Sequence, residues 1–266
     1  MYTAGKGWLD QSDDNQCPSM ARAEPTLTPS PSSWVHLPAM RAIVLVTLCI
    51  CSVLLCFAAH PSRPHQVVVA GTAVEILPDR VSLLDGSGKV RDSWDPAPFA
   101  VQDACADPAR PFLYLVLGKP GAKRGERLAV VALEGQSFRL VFLDRDRQYN
   151  PWKVLAGDVD GDGTSEVLFA VYKKSRFHPV FANRLFVFGW DGHQLYPKWL
   201  GSRLSRPFFD LALAKTAEHA CELLALEAQE DGGRRIMSYR WCGFGFEGDK
   251  ELAQGTPTLC LRDLGY

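Results

Sequence analysis

Three aspartates and a glutamate alternate along one short stretch of the chain, at Asp158, Asp160, Asp162 and Glu166. Oxygen ligands at alternate positions of a tight loop can converge on one hard cation, and Ca²⁺ is the natural candidate. Counted from Asp158, the carboxylates take loop positions 1, 3, 5 and 9, and Thr164 at position 7 offers its backbone carbonyl. The sequence therefore predicts a calcium site made by these five residues. The alternative is a solvated acidic turn without a metal, in which the carboxylates repel one another.

The residues that flank this loop favour strands. Position 12, where an EF-hand needs an acid, is Phe169, and no helical pattern enters the loop. The run 166–172 that follows is a short apolar segment typical of a buried strand. The loop is therefore predicted to join two strands.

A strand–DxDxDGxxE–strand arrangement resembles the FG-GAP/VCBS repeat of integrin α-chain-like β-propellers. In that family the loop joins the first two strands of a blade and binds Ca²⁺. The resemblance covers about residues 98–256 and is concentrated at 157–167, where Glu166 stands at a position that is usually Asp in the integrin form. It implies a propeller fold and an extracellular role in adhesion or ligand binding.

A repeated unit extends beyond the acidic loop. Three segments begin alike at Pro98, Pro151 and Pro207, with spacings of 53 and 56 residues. Each is followed by short runs that predict four strands separated by Gly, Pro and Asp, and a related partial unit lies upstream at 67–94. A period of this size is typical of a propeller or an array.

The predicted fold class is therefore all-β, a small β-propeller of about four blades, one of them abbreviated, preceded by a single N-terminal hydrophobic helix. Four blades is the low end for a closed propeller. The alternative is a curved, incomplete stack that pairs with another copy, because an open array leaves sheet edges exposed. The propeller is predicted over residues 60–256, with a C-terminal tail at 257–266.

The hydrophobic helix comes from the 18 uncharged residues Ala42–Ala59, preceded by Arg41. This length is just adequate to cross a bilayer, and the upstream positive charges place the N-terminus in the cytoplasm. Alternatively, Met40 is the true start and 40–59 is a secretory signal peptide. Residues 1–39 are predicted to be disordered. Either interpretation exports residues 60–266, so the protein is predicted to be secreted or held in the cell membrane by one span.

Two basic stretches follow the second strands of successive units. They are predicted to lie side by side and to attract an anionic ligand. Solvated surface loops are the alternative. The residues of this candidate patch are Lys119, Lys123, Arg124, Arg127, Lys173, Lys174 and Arg176.

Four cysteines follow the hydrophobic segment, and an oxidising compartment would permit disulfides between them. If the hairpin centred on Asp231–Gly232 is symmetric, Cys221 and Cys242 lie directly opposite and form a disulfide. Two reduced, buried thiols are the alternative.

The sequence favours a non-enzyme, since it contains no GxSxG, HExxH, Walker or dinucleotide-binding motif. The predicted function is an exported or membrane-anchored, calcium-stabilised β-propeller that acts as a binding or adhesion module. Its partners would be the membrane, through an uncleaved helix, and an extracellular protein, glycan or anionic polymer. Nucleic acid is not expected as a partner, because aromatics are not interleaved with the basic residues and the net charge is −1. The alternative is an extracytoplasmic enzyme or a structural subunit of a cell-envelope assembly.

Overall fold

The computed structural model describes residues 65–144, 149–201, 203–216 and 220–266. The predicted hydrophobic helix, the disordered segment 1–39 and the alternative signal peptide lie outside these ranges. Within them, no helix is long and apolar enough to cross a membrane.

The described residues form four antiparallel sheets of four strands each, and every sheet pairs its strands in chain order. We number them sheet I (β1–β4), sheet II (β5–β8), sheet III (β9–β12) and sheet IV (β13–β16). The strands are β1 His65–Val69, β2 Thr72–Leu77, β3 Arg80–Leu84, β4 Val90–Trp94, β5 Ala100–Ala106, β6 Phe112–Gly118, β7 Arg127–Glu134, β8 Ser137–Leu143, β9 Pro151–Gly157, β10 Glu166–Lys173, β11 Ala182–Trp190, β12 Leu195–Leu200, β13 Phe208–Lys215, β14 Cys221–Ala228, β15 Arg234–Trp241 and β16 Phe246–Gly255.

The repeated four-stranded unit predicted from the sequence is confirmed, and the described part of the chain is all-β apart from one short 3₁₀ helix. Sheet I corresponds to the predicted abbreviated unit: it has all four strands, but each is only five or six residues long.

The core lies between successive sheets. One apolar cluster joins the facing sides of sheets I and II, a second joins sheets II and III, and a third joins sheets III and IV. The middle strands of sheets II and III are therefore buried on both sides over most of their length, and β10 is buried from Glu166 to Val171 without a break. This explains why β6, β10 and β14 are continuous apolar runs in the sequence and do not alternate.

The C-terminal tail covers the outer side of sheet IV. After β16 ends at Gly255, the chain returns through a short 3₁₀ helix, Leu261–Leu264. Leu259 and Leu261 pack against the apolar side of β14 and β15 that faces away from sheet III. The tail thus gives the last sheet the apolar cover that a further sheet would supply, as terminal caps do in repeat proteins.

Polar side chains also tie neighbouring sheets together. The Val154 amide of sheet III donates to Asp103 Oδ2 of sheet II at 2.7 Å, and the Phe138 amide of sheet II donates to Asp92 Oδ2 of sheet I at 2.9 Å. Lys153 Nζ lies 2.5 Å from Asp210 Oδ1 and so joins sheets III and IV. These contacts fix which sheet faces meet, since apolar packing alone is not directional.

Another tie between sheets is made by Arg110, in the loop between β5 and β6. Its guanidinium contacts Asp107 Oδ2 at 2.8 Å and donates to the carbonyls of Ser165 at 2.9 Å and Trp190 at 3.1 Å, both in sheet III. Tyr114 Oη donates to the same Asp107 oxygen at 2.7 Å. One buried carboxylate therefore orients an arginine that joins sheet II to sheet III.

Replacing Arg110 by Ala should lower the free energy of unfolding by about 3 kcal/mol, because Asp107 stays buried without its cation. Urea unfolding monitored by circular dichroism measures the difference. The matched control is Arg139→Ala, which breaks the exposed pair with Glu134 within sheet II and should leave stability close to that of the wild type. Equal effects of the two substitutions would contradict the proposed role of Arg110.

Candidate cation site at the loop between β9 and β10

The acidic loop, residues 158–165, leaves β9 at Gly157 and enters β10 at Glu166. Its turn uses backbone conformations that favour glycine, with φ of 78° at Gly161 and 85° at Gly163. The amides of these two glycines donate to Asp158 Oδ1 at 2.7 Å and Oδ2 at 2.8 Å. The first aspartate therefore shapes the loop as well as supplying charge.

Three of the predicted ligands converge. Asp158, Asp160 and Glu166 each present a carboxylate oxygen, and these oxygens lie within 4.8 Å of one another. Glu166 is buried, and its Oε2 accepts the Val159 amide at 3.0 Å. Thr164 is exposed, and its amide donates to Asp162 Oδ1 at 2.7 Å. Asp162 is about half exposed and stands at the edge of the cluster.

A lysine ammonium lies among these carboxylates. Lys198 Nζ is 2.5 Å from Asp160 Oδ2, 2.8 Å from Glu166 Oε1 and 4.0 Å from Asp162 Oδ2. The sequence predicts that a bound ion offsets the repulsion between the carboxylates of the loop. In the structure, Lys198 of the same sheet supplies that positive charge. Sequence reasoning missed this residue.

A β-bulge explains how Lys198 reaches the loop. In the pairing of β11 with β12, Phe188 lies opposite Pro197 and Val187 lies opposite Trp199, so Lys198 is the extra residue. Proline cannot donate to the ladder, and a bulge re-aims the side chain that it carries. The one available signal in the sequence was Pro197 inside a strand-like run, which indicates a bulge or an edge without telling where the next side chain points.

Burial and charge act in opposite directions on this cluster. Burial raises the pKa of Glu166, although the hydrogen bonds from Lys198 and from the Val159 amide act to lower it. Partial burial alone would lower the pKa of Lys198, but its hydrogen bonds to Asp160 and Glu166 and the charges of both carboxylates raise that pKa well above its usual range. The ammonium is therefore held firmly in its charged form.

The loop is also joined to sheet IV. The Cys221 amide donates to the Asp158 carbonyl at 2.6 Å, and a cleft of about 340 Å³ lies between the loop and β14–β15, beside Asp160, Glu222 and Arg240. A ligand at the loop would thus reach two sheets. The chemistry available is that of a cation site, because the converging groups are carboxylates and the residues present fit a hard divalent ion.

The two predicted basic stretches are brought together at the opposite ends of the strands. Arg124, in the loop between β6 and β7, lies over the Tyr172 ring with Cζ 3.8 Å from the ring centroid. Lys119, Lys123, Lys174 and Arg176 are exposed, whereas Arg127 and Lys173 are half-buried. Lys173 packs over Tyr149, with Nζ 5.0 Å from that ring centroid. The candidate patch is one continuous surface across sheets II and III.

The predicted disulfide is wrong, since Cys221 and Cys242 are both free cysteines. In the hairpin of β14 and β15, Leu223 lies opposite Tyr239 and Ala228 opposite Arg234, which is one residue away from the register that a direct cysteine pair requires. The connection 229–233 is five residues long and centred on Asp231. A one-residue slip sends the two thiols to opposite faces of the sheet.

No family model matches this chain, and no curated protein matches it. Among solved structures, it is similar to a proposed 6-phosphogluconolactonase from Bacteroides uniformis ATCC 8492, with 10% identity, a TM-score of 0.46, and coverage of 73% of this chain and 57% of that one. A second, from Bacteroides fragilis NCTC 9343, gives 11% identity, a TM-score of 0.42, and coverage of 75% and 59%. The chain spans less than two thirds of either protein.

The predicted function, a calcium-stabilised binding or adhesion module, is corrected here. Both similar structures are named as proposed 6-phosphogluconolactonases. Within the described residues, the carboxylates of the acidic loop already have a cation among them, Lys198 of β12, so charge repulsion in the loop does not require calcium.

Lys198→Met should change how stability depends on pH. The pKa of Lys198 is higher in the folded chain than in the unfolded chain. Its ammonium therefore contributes fully to the free energy of unfolding below the pKa of the unfolded chain, about 10.4. That contribution is lost as pH rises through the pKa of the folded chain. Wild-type stability should therefore fall above about pH 10, and Lys198→Met should lack that component. Thermal melts from pH 8 to pH 11, with Lys89→Met as an exposed control, measure this. Parallel wild-type and Lys198→Met profiles would contradict the assignment.

Alkylation should distinguish the cysteines. Cys242 is exposed and should react with iodoacetamide first, whereas burial raises the pKa of the Cys105 thiol to about 12 and that of Cys221 above its usual value, so both should react slowly. Mass spectrometry of the native protein without reductant measures each site. Recovery of a Cys221–Cys242 peptide would show that the register of β14 and β15 differs from the one described.

Proposed function

We propose that this protein is a structural subunit of an extracytoplasmic assembly, and that its acidic loop exchanges the Lys198 ammonium for Ca²⁺. The observation that carries the proposal is the position of Lys198 Nζ among the loop carboxylates, 2.5 Å from Asp160 and 2.8 Å from Glu166. A tethered ammonium keeps the loop folded when no metal is bound. A site with three converging carboxylates would still favour a divalent cation, because one ammonium balances only part of their charge.

The four sheets would form a propeller-like stack of the FG-GAP/VCBS kind, in which the C-terminal tail covers the outer side of sheet IV. The strand order of each sheet, the loop between the first two strands of sheet III and the apolar packing of each sheet on the next support this proposal. A stiff body of this kind suits a structural role. Its half-buried polar groups, such as Asp103 and Arg110, are used to join neighbouring sheets.

Asp158, Asp160 and Glu166 would hold the Ca²⁺, with Asp162 and the Thr164 carbonyl drawn in from the exposed side of the loop. The ion would supply the positive charge that Lys198 now provides. Asp158 would keep the loop in shape, since both of its oxygens already accept amides of the turn. Because Asp158 also accepts from Cys221 through its carbonyl, ion exchange would be transmitted to sheet IV.

The place of action is proposed from the apolar segment 42–59, which would either anchor the chain or be cleaved after export. In both cases residues 60–266 would work outside the cytoplasm. The membrane would be a partner of the anchored form.

An extracytoplasmic enzyme is the second candidate, and one observation favours it. Burial raises the pKa of Asp103, a carboxyl group on β5. The charges of Lys153 and His65, on the first strands of the neighbouring sheets, act to lower that pKa. A carboxyl group perturbed in this way is a common feature of catalytic sites. Its oxygen is nevertheless used by the Val154 amide, so we favour the structural role.

Calcium titration of the full-length chain tests the exchange. The wild type must displace Lys198 to bind Ca²⁺, whereas Lys198→Met presents the same carboxylates without a competing cation. We expect Lys198→Met to bind Ca²⁺ at least about tenfold more tightly, and to gain more in melting temperature at a given Ca²⁺ concentration. Isothermal titration calorimetry and thermal melts measure both. Asp160→Asn in the Lys198→Met background should abolish the gain.

Two outcomes would contradict the proposed function. One is the absence of Ca²⁺ binding in both the wild type and Lys198→Met at millimolar concentration. The other is catalytic turnover of sugar-phosphate lactones or other hydrolase substrates that is lost in Asp103→Asn, which would establish the enzyme alternative.

A further inference from the structure

The basic surface across sheets II and III has a strong local charge. The stretches 119–126 and 173–181 contain six Lys and Arg residues against one acid, Glu126, which gives +5 with His178 neutral, whereas the whole chain carries −1. Glu126 is partly offset by Lys119, whose Nζ lies 3.5 Å from Glu126 Oε1. The surface therefore concentrates positive charge in a protein that has no excess of it.

The loop between β10 and β11 adds exposed apolar side chains to this charge. Phe177 is 85% exposed, Phe181 is 54% exposed and Val180 is 49% exposed. Basic groups lie against the rings, with Lys174 Nζ 5.3 Å from the Phe181 centroid and Arg176 Cζ 5.9 Å from the Phe177 centroid. Moving large apolar side chains from water into an apolar environment lowers the free energy, so exposed ones at a loop tip favour such an environment.

The loop is held in this exposed conformation from beneath. Arg184, which is 1% exposed on β11, donates to the carbonyls of Lys173 at 3.2 Å, His178 at 3.3 Å and Val180 at 2.9 Å. Phe181 stacks on Tyr172 at 5.6 Å with an interplanar angle of 18°, and Tyr172 in turn lies under Arg124 of the neighbouring loop. The apolar tip and both basic stretches thus form one preformed unit.

We propose that this unit docks on an anionic lipid surface, with Phe177, Val180 and Phe181 entering the headgroup region and the surrounding lysines and arginines contacting lipid phosphates. Basic residues are attracted to the negative surface potential of such a membrane, and aromatic side chains favour the membrane interface. This site would act independently of the acidic loop, which lies at the opposite ends of the strands. It extends the proposed structural role by naming a surface against which the subunit rests.

The apolar tip favours a membrane over a soluble acidic polymer. A polyanion would be bound by the cations alone and would leave Phe177 in water. A bilayer interface offers both the anionic groups and an apolar layer within the reach of one side chain. The sequence also places the apolar segment 42–59 only five residues before β1 begins at His65, so an anchored form keeps the sheets within reach of a bilayer.

Local protection from trypsin tests the docking in the full-length chain. The protein is incorporated into vesicles of phosphatidylcholine alone or with about 30% phosphatidylglycerol, and cleavage after Lys173, Lys174 and Arg176 is followed by mass spectrometry. We expect anionic lipid to slow these cleavages at least about fivefold, and high salt to remove the protection by screening. Cleavage after the exposed residues Arg91 and Arg139 should proceed equally in both kinds of vesicle.

Phe177→Ser should lose most of the protection without a change in melting temperature, because the side chain is almost fully exposed. Val68→Ser, which alters an exposed apolar residue of sheet I, should retain it. As a second variant, Lys119→Glu with Lys123→Glu should weaken protection of the 173–176 sites, which it leaves intact. Equal cleavage in both kinds of vesicle would overturn the proposal. So would protection by heparin without vesicles that persists in Phe177→Ser, since that result would indicate an acidic polymer as the occupant.

Discussion

The balance of charge in the acidic loop is the constraint on which this structure depends. Three carboxylates converge where β9 turns into β10, and one of them, Glu166, is buried at the start of a strand that is itself buried as far as Val171. Such a group cannot stay charged in the core without a cation close by. Lys198 supplies that cation from the outer strand of the same sheet, so β12 is linked by charge to β10, a strand with which it does not pair. The correct placement of β10 then positions the apolar faces on which sheets II and IV pack.

A second level of organisation joins the sheets to one another. Apolar side chains supply most of the attraction between faces, but they fix orientation weakly. Directional contacts from Asp92, Asp103 and Arg110 select one arrangement, because each leaves a buried polar group unpaired if the sheets slide. The C-terminal tail completes the stack by covering the outer side of sheet IV. The loops between strands can therefore differ in sequence from one sheet to the next. The acidic loop and the basic surface lie at opposite ends of the same strands.

Much of this organisation was predictable because it follows from local pattern. Regular spacing of the units, turn residues and continuous apolar runs indicate four-stranded sheets, and the acidic spacing indicates which carboxylates converge. What could not be predicted depends on register. Lys198 reaches the loop only because a bulge at Pro197 displaces it, and Cys221 misses Cys242 because the connection at 229–233 is centred on a residue and not between two. A shift of one position reverses the face of a side chain, and the sequence carries little information about such shifts. The cover over sheet IV was missed for a different reason, since Leu259 and Leu261 show no strand pattern.

The position of the Lys198 ammonium in the presence and absence of calcium tests the central claim most directly. Crystals grown in a chelator and in millimolar Ca²⁺ would show it at the level of single atoms. The account predicts Lys198 Nζ between Asp160 and Glu166 without calcium, and an ion held by Asp158, Asp160 and Glu166, with Lys198 turned away, in its presence. An ammonium that lies away from the carboxylates in the chelator, or that keeps both contacts when calcium is abundant, would contradict it.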